Sequence, residues 1–168
     1  MDLSTIANIA TALTVLTAVV FGLIEAKQAR REREERAAFA ALNAILTPAW
    51  MKSIVRVHAI PQGATVADIE ADPLLLEATH VIGITLEGVG YAVYARVVPL
   101  RIVEDLVGGS VRVAWRKIRP YAEFERKRAG SQKSWEWFQW LADQLERHGT
   151  SRTNLDTGAF IAYRDWKP

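Results

Sequence analysis

The chain opens on an unbroken apolar run: from Leu3 to Ile24 no residue is charged. At 1.5 Å per residue this run makes roughly 33 Å of helix, enough to cross the hydrocarbon core of a bilayer. Asp2 precedes it, and Glu25 and Lys27 follow it. A cleaved signal peptide would instead place basic residues first and a small-residue cleavage site last. The pattern therefore predicts a transmembrane anchor over residues 1–24. Inside the run, Ser4, Asn8, Thr11, Val15, Ala18 and Gly22 share one helical stripe, opposite Ile6, Ile9, Leu13, Leu16, Val20 and Ile24. In lipid, helices associate through small residues and interhelical hydrogen bonds. Ser4, Asn8, Thr11, Ala18 and Gly22 thus form the expected contact face for other integral membrane subunits. The alternative is that the hydroxyls bond only to their own backbone. A homomeric and a heteromeric contact fit the stripe equally.

Helical patterning continues without a breaker to Leu46, giving a charged stalk over 25–46 with Glu32 and Arg36 placed as an i,i+4 pair. Thr47-Pro48 reads as a cap and first turn, with Trp50, Ile54 and Val57 on the buried face and Pro61 and Gly63 at the end. Thr65 and Asp68 form a capping box, and Asp72-Pro73 repeats the cap-then-proline signature ahead of Leu74–Leu86. Val81–Val98 is rich in β-branched residues yet keeps helical spacing, so we read it as helix with strand as the alternative. Pro99 starts a helix that Gly108 and Gly109 should end, and Ser110 should cap the next, kinked at Pro120. After Ser131, Trp135, Phe138, Leu141, Ala142 and Leu145 mark a last helix closed by Gly149. The predicted fold is mainly α: an anchor, a helical stalk, a small cytoplasmic helical bundle over 47–148, and an irregular tail over 149–168. Phe160, Tyr163 and Trp166 in that tail point to docking on a partner.

With 168 residues, the chain has room for one domain besides the anchor. Its 21 Lys+Arg and 19 Asp+Glu balance to +2, which argues against nucleic acid as a partner, so the placement of charge matters more than its sum. Lys27, Arg30 and Arg31 follow the run and no basic residue precedes it, an asymmetry that puts the N-terminus outside and the bundle in the cytoplasm. The same residues can meet anionic lipid headgroups, diluted by Glu32, Glu34 and Glu35. The absence of cysteine excludes disulfides, thiolate metal sites and thiol catalysis. His58, His80 and His148 lack metal-ligand spacing, and Asp68, Glu70 and Asp72 start a calcium pattern that Pro73 and Thr79 break. Neither Gly88-Val89-Gly90 nor Gly108-Gly109-Ser110 completes a phosphate-binding motif. No catalytic, cofactor or metal residue is expected, nor a small-molecule substrate: the sequence does not read as an enzyme.

Two clusters invite a binding role. Arg112, Arg116, Lys117, Arg119 and Arg126–Arg128 form a basic region that suits an anionic leaflet or an acidic partner. Trp137 and Trp140 lie one helical turn apart, away from the core position of Trp135, as paired exposed tryptophans do at a partner or membrane interface; the alternative is a broadly buried last helix.

Several stretches together resemble a bacterial family of single-span membrane proteins known only as a domain of unknown function. They are the span running into Ala26-Lys27-Gln28-Ala29-Arg30-Arg31-Glu32, Val103-Glu104-Asp105-Leu106-Val107-Gly108, Trp115-Arg116-Lys117-Ile118-Arg119-Pro120-Tyr121 and Trp135-Glu136-Trp137-Phe138-Gln139-Trp140-Leu141-Ala142. The resemblance covers roughly residues 3 to 147 and implies a helical cytoplasmic domain on a bacterial inner membrane; the aromatic tail departs from it. The expected role is a non-catalytic accessory or structural subunit of a larger membrane complex, photosynthetic or respiratory complexes being examples. The alternative is a membrane-tethered regulatory module that binds a soluble protein or ligand.

Overall fold

The structure, a computed structural model, describes residues 2–45, 47–148, 161, 164 and 165. Six helices order these residues: α1 (Leu3–Ile45), α2 (Pro48–Ala59), α3 (Val66–Ala71), α4 (Pro73–Tyr94), α5 (Leu100–Ala129) and α6 (Glu136–His148). No strand occurs among the described residues, so Val81–Val98 takes the helical reading as far as Tyr94. The chain divides into two compact units, Met1–Phe39 and Ala40–Pro168.

In the first unit, the part of α1 long and apolar enough to cross a membrane lies within Thr11–Ala37, with mean hydropathy 1.4 and no residue of the apolar window buried. Its hydroxyls have local partners: Thr17 donates to the Leu13 carbonyl at 2.8 Å, and Ser4 to Asp2 at 2.9 Å. Nothing lies within 4 Å of where a Cβ on Gly22 would stand. Beyond the apolar run, Arg36 reaches Glu32 at 3.5 Å and Arg30 reaches Glu34 at 3.4 Å. Such exposed pairs each contribute only a few tenths of a kcal/mol, roughly, as on any solvated helix.

The second unit is a bundle in which α4 packs against α2, α3, α5 and α6. Its helices begin where the local chemistry puts them. Thr47 accepts from the Trp50 amide at 3.1 Å, with Pro48 preset for the first turn. Asp72 accepts from the Leu74 and Leu75 amides at 2.9 and 3.2 Å ahead of α4. The Thr65 amide donates to Asp68 at 2.8 Å and the Asp68 amide to Thr65 at 3.3 Å, completing the box that opens α3.

The Thr65 amide, and then its hydroxyl, hold the Asp68 carboxyl below its ordinary range. A carboxyl so depressed adds stability above its unfolded pKa of about 3.9 and loses it as pH falls through the lower folded value. Amide protection at the start of α3 should therefore decay in that acid window, while the amide held by Thr47, whose cap carries no proton to gain, should keep its protection. Parallel decay at both caps would refute the assignment.

The α5 region differs from the sequence reading. Gly108 and Gly109 end nothing, Ser110 caps nothing, and one helix runs from Leu100 to Ala129 with Pro120 inside it. Glu104 and Arg112 explain the continuity: they stand two turns apart and join across Gly108 at 2.5 Å, both side chains mostly buried. A Cβ on Gly108 would meet the Glu104 carboxylate at 2.5 Å, so the glycine leaves room for the pair. Pro99 is the residue before the helix rather than its first turn. The helix stops at Gly130, whose φ of +61° no β-carbon-bearing residue adopts readily.

The last helix also starts later than expected, at Glu136. Trp135 lies just outside it with φ +55°. The core is built from Val57, Ile69, Ile82, Leu86, Val103, Val111, Ile118, Phe138, Leu141 and Leu145, all essentially inaccessible.

Candidate functional site

Two glycines on α4 decide how α6 sits against it. A Cβ at Gly83 would fall 2.6 Å from Trp135 Cε2, and one at Gly90 would fall 2.7 Å from the Trp137 carbonyl carbon. Both positions need glycine, because the indole and the α6 backbone occupy the space a side chain would fill. Between them Glu87 accepts from the Phe138 amide at 2.8 Å, so α4 supplies the cap for the first turn of α6. Phe138 then inserts fully into the core against Trp115, rings edge to face with centroids 5.1 Å apart.

This docking carries Trp137 and Trp140 onto the end of α4. Trp137 stacks on Tyr94 with centroids 4.4 Å apart and meets Tyr91 at 5.7 Å; Trp140 meets Tyr94 at 5.9 Å and Trp137 at 6.1 Å. Each such aromatic pair contributes about 0.5–1.5 kcal/mol beyond burial. The two indoles are half-buried rather than freely exposed, because the tyrosines cover part of them. Tyr91 and Tyr94 themselves remain mostly open to solvent. The result is a four-ring apolar face, fixed in geometry by its own contacts and still accessible.

A second aromatic group lies deeper. His80 meets Tyr121 and Trp135 edge to face at 5.7 and 5.8 Å, and its Nδ1 lies 2.9 Å from the Leu76 carbonyl. Burial, and then the nearby Glu125 carboxylate, raise the Tyr121 phenol above its ordinary value, so it stays neutral throughout the physiological range. Here histidine serves packing.

The basic region is engaged in part within the bundle. Besides the Glu104–Arg112 pair, Arg119 bonds Glu123 at 2.7 Å and Arg128 bonds Glu125 at 2.7 Å. Lys117 donates to the Ile60 carbonyl at the end of α2. Arg126 donates to the Ser134 carbonyl at 2.9 Å, the Trp135 carbonyl at 3.2 Å and Gln139 Oε1 at 2.6 Å. Lys117 and Arg126 tie α5 to the α2 end and the α6 turn, while Arg119 and Arg128, paired along α5 itself, stay 60% exposed. Arg116 stays exposed, beside a cleft of about 350 Å³ between the α2–α3 loop and α5.

Among the described residues no three His, Asp or Glu side chains gather where they could hold a metal ion. His58 and His148 are exposed. Of the proposed membrane residues, Ser4, Asn8, Thr11, Ala18, Gly22, Lys27, Arg30 and Arg31 all lie exposed along α1. Phe160, Tyr163 and Trp166 lie outside the described residues, so their proposed docking role does too. Tyr91 and Tyr94 were absent from the sequence candidates. The only signal for them was their spacing on an α4 stretch read as uncertain.

These features define a class: a helical bundle preceded by a long apolar helix, with a cluster of half-open aromatic rings on its surface. The chain belongs to the family described as a domain of unknown function, DUF4760, whose model matches residues 9–145. The match runs from the apolar part of α1 to within α6 and stops before the tail. No curated protein and no solved structure matches the chain.

Proposed function

We propose that the protein is a non-catalytic accessory subunit of a larger bacterial membrane complex, held in the membrane by α1 and acting by burying surface against its neighbours. The observation that carries this reading is the aromatic face of Tyr91, Tyr94, Trp137 and Trp140, ordered by its own contacts yet half open. Rigid Trp and Tyr side chains lose little conformational entropy on binding, and interface anchors are enriched in them. Lys27, Arg30 and Arg31 support the orientation, with the bundle on the cytoplasmic side and these residues near anionic headgroups. The open position at Gly22 favours close approach of a second transmembrane helix along the Ala18 and Gly22 stripe.

Solubilising native membranes in mild detergent tests the proposal. The chain should migrate within a large assembly. Trp137→Ala with Trp140→Ala, or Ala18→Leu with Gly22→Leu, should release it to low mass while leaving it membrane-bound. Migration alone or as a small homo-oligomer overturns the accessory-subunit reading.

The cleft beside Arg116 favours a second reading, a membrane-tethered module that senses a small anionic ligand, since its volume reaches the lower range of ligand pockets, about 300–1,000 Å³. Under that reading the partner contact is a surface charge contact and weakens at high salt, whereas an apolar contact resists it.

A further inference from the structure

α4 carries two apolar faces, and the bundle uses one of them. Ala78, Ile82, Leu86, Val89 and Val93 face the other helices. On the opposite side Leu74, Glu77, Val81, Ile84, Gly88, Tyr91 and Ala95 recur at alternating three- and four-residue steps, the seam period of paired helices. This second face is open: Leu74, Ile84 and Tyr91 are 54%, 66% and 56% exposed. A helix whose job ends at the bundle shows charge outward, as α5 does with Arg101, Asp105, Arg116, Arg119, Glu123 and Lys127. The outward stripe of α4 has one charge, Glu77.

We propose that this face is covered by the same face of a second copy, the two α4 helices running antiparallel about a two-fold axis midway between Ile84 and Gly88. The stripe is complementary to its own reverse. In this register Ile84 of each copy lies over Gly88 of the other, where nothing stands within 4 Å of the missing Cβ, so the protruding side chain enters an open notch. Val81 meets the ring of Tyr91 in the next layer. Glu77 comes opposite Ala95 and its neighbour Arg96, an exposed cation at the end of α4 with φ +59°. Leu74 reaches the exposed Val97. One register therefore covers each large exposed side chain of the stripe and pairs its one anion with a cation. A parallel pairing would set Glu77 against Glu77 and leave Gly88 facing Gly88, a like-charge contact beside a void. An isologous contact of this kind closes at two copies.

The chain has no cysteine, so single introduced thiols report proximity without background. The test uses the full chain in its membrane with a short bismaleimide. Ile84→Cys should give a covalent product of twice the chain mass, several-fold above Gly109→Cys on the charged face of α5. Glu77→Cys and Ala95→Cys should cross-link when co-expressed, and neither should do so alone, because in this register each is about 27 Å from its own copy at 1.5 Å per residue. Charge exchange gives a second readout: Glu77→Arg and Arg96→Glu each lower the Ile84→Cys yield, and together restore it.

No product above the Gly109 control overturns the proposal. So does equal self-cross-linking of Glu77→Cys, which signifies a parallel pair, and so does a product joined to a different polypeptide. The dimer and the accessory-subunit reading share Tyr91 but part in the test: a cross-linked dimer that migrates by itself upholds the one and overturns the other.

Discussion

Gly90→Ala is expected to lower the melting temperature of the bundle, while the same change at Gly109 raises it. Both glycines lie inside helices, where alanine is intrinsically better by about 1 kcal/mol. At Gly109 nothing lies within 4 Å of the added Cβ, so the propensity gain and the reduced freedom of the unfolded chain act unopposed, adding about 0.5–1 kcal/mol. At Gly90 the added carbon falls 2.7 Å from the Trp137 carbonyl carbon and 3.2 Å from its Cβ. A backbone atom cannot swing aside as a side-chain tip can, so α4 and α6 must part. Overpacking of this kind costs roughly 1–3 kcal/mol, and parting the helices also withdraws Glu87 from the Phe138 amide it caps. The clash outweighs the propensity gain, for a net loss of about 2 kcal/mol. Thermal unfolding followed by circular dichroism measures both variants. Near-ultraviolet bands should change for Gly90→Ala alone, since the 4.4 Å stack of Trp137 on Tyr94 depends on this approach. A rise in melting temperature for both variants would show that Gly90 does not set the α4–α6 distance.

What was legible in the sequence was what is decided within three or four residues. The caps at Thr47, Thr65 and Asp72 bond only to groups two or three positions on, so each helix start they govern follows from local pattern. The Gly108-Gly109 stop failed because its resolution is less local: Glu104 and Arg112 close over the glycine from two turns apart, and only Gly130, with its positive φ, ends the helix. The partners of the basic region were legible only in part. Arg119 and Arg128 find carboxylates four and three residues away, so a tally of i,i+3 and i,i+4 charge pairs would have foretold both contacts. Lys117 could not be foretold, since its acceptor is the carbonyl of Ile60, far back in the chain. The pairing of Trp137 with Trp140 was visible as spacing. Their tyrosine partners were not, because the meeting of Tyr91 and Tyr94 with α6 depends on a register set by Gly83 and Gly90. The dual apolarity of α4 was in view as well. It registered only as ambiguity between helix and strand, since a helix apolar on both sides loses the one-sided period by which amphipathic helices are recognised.

Arg126→Ala should be the most damaging change among the charged residues, although Arg126 forms no ion pair among the described contacts. Its guanidinium holds the Ser134 and Trp135 carbonyls and Gln139 Oε1 together, and so fixes the turn that delivers α6. That turn is strained: Trp135 stands at φ +55°, a left-handed conformation that costs a non-glycine residue about 1–2 kcal/mol. The indole recovers this cost by lying flat against Gly83 and meeting Tyr121 and His80, but only while the backbone on either side is held. Removing the guanidinium takes the donor from the Ser134 carbonyl and Gln139 Oε1, leaves the Trp135 carbonyl with the Gln139 amide alone, and frees Trp135 to relax, which together should cost about 2–4 kcal/mol. For a unit of this size that corresponds to a fall of roughly 10 °C in melting temperature. Arg126→Lys keeps the charge, but a single ammonium cannot span acceptors on three residues, so it should recover less than half of the loss. Equal melting temperatures for Arg126→Lys and the unmodified chain would mean that charge, not the forked geometry, is what the turn requires. If the fork is the requirement, both variants should also loosen Trp137 and Trp140, whose positions on the aromatic face are set by where α6 begins.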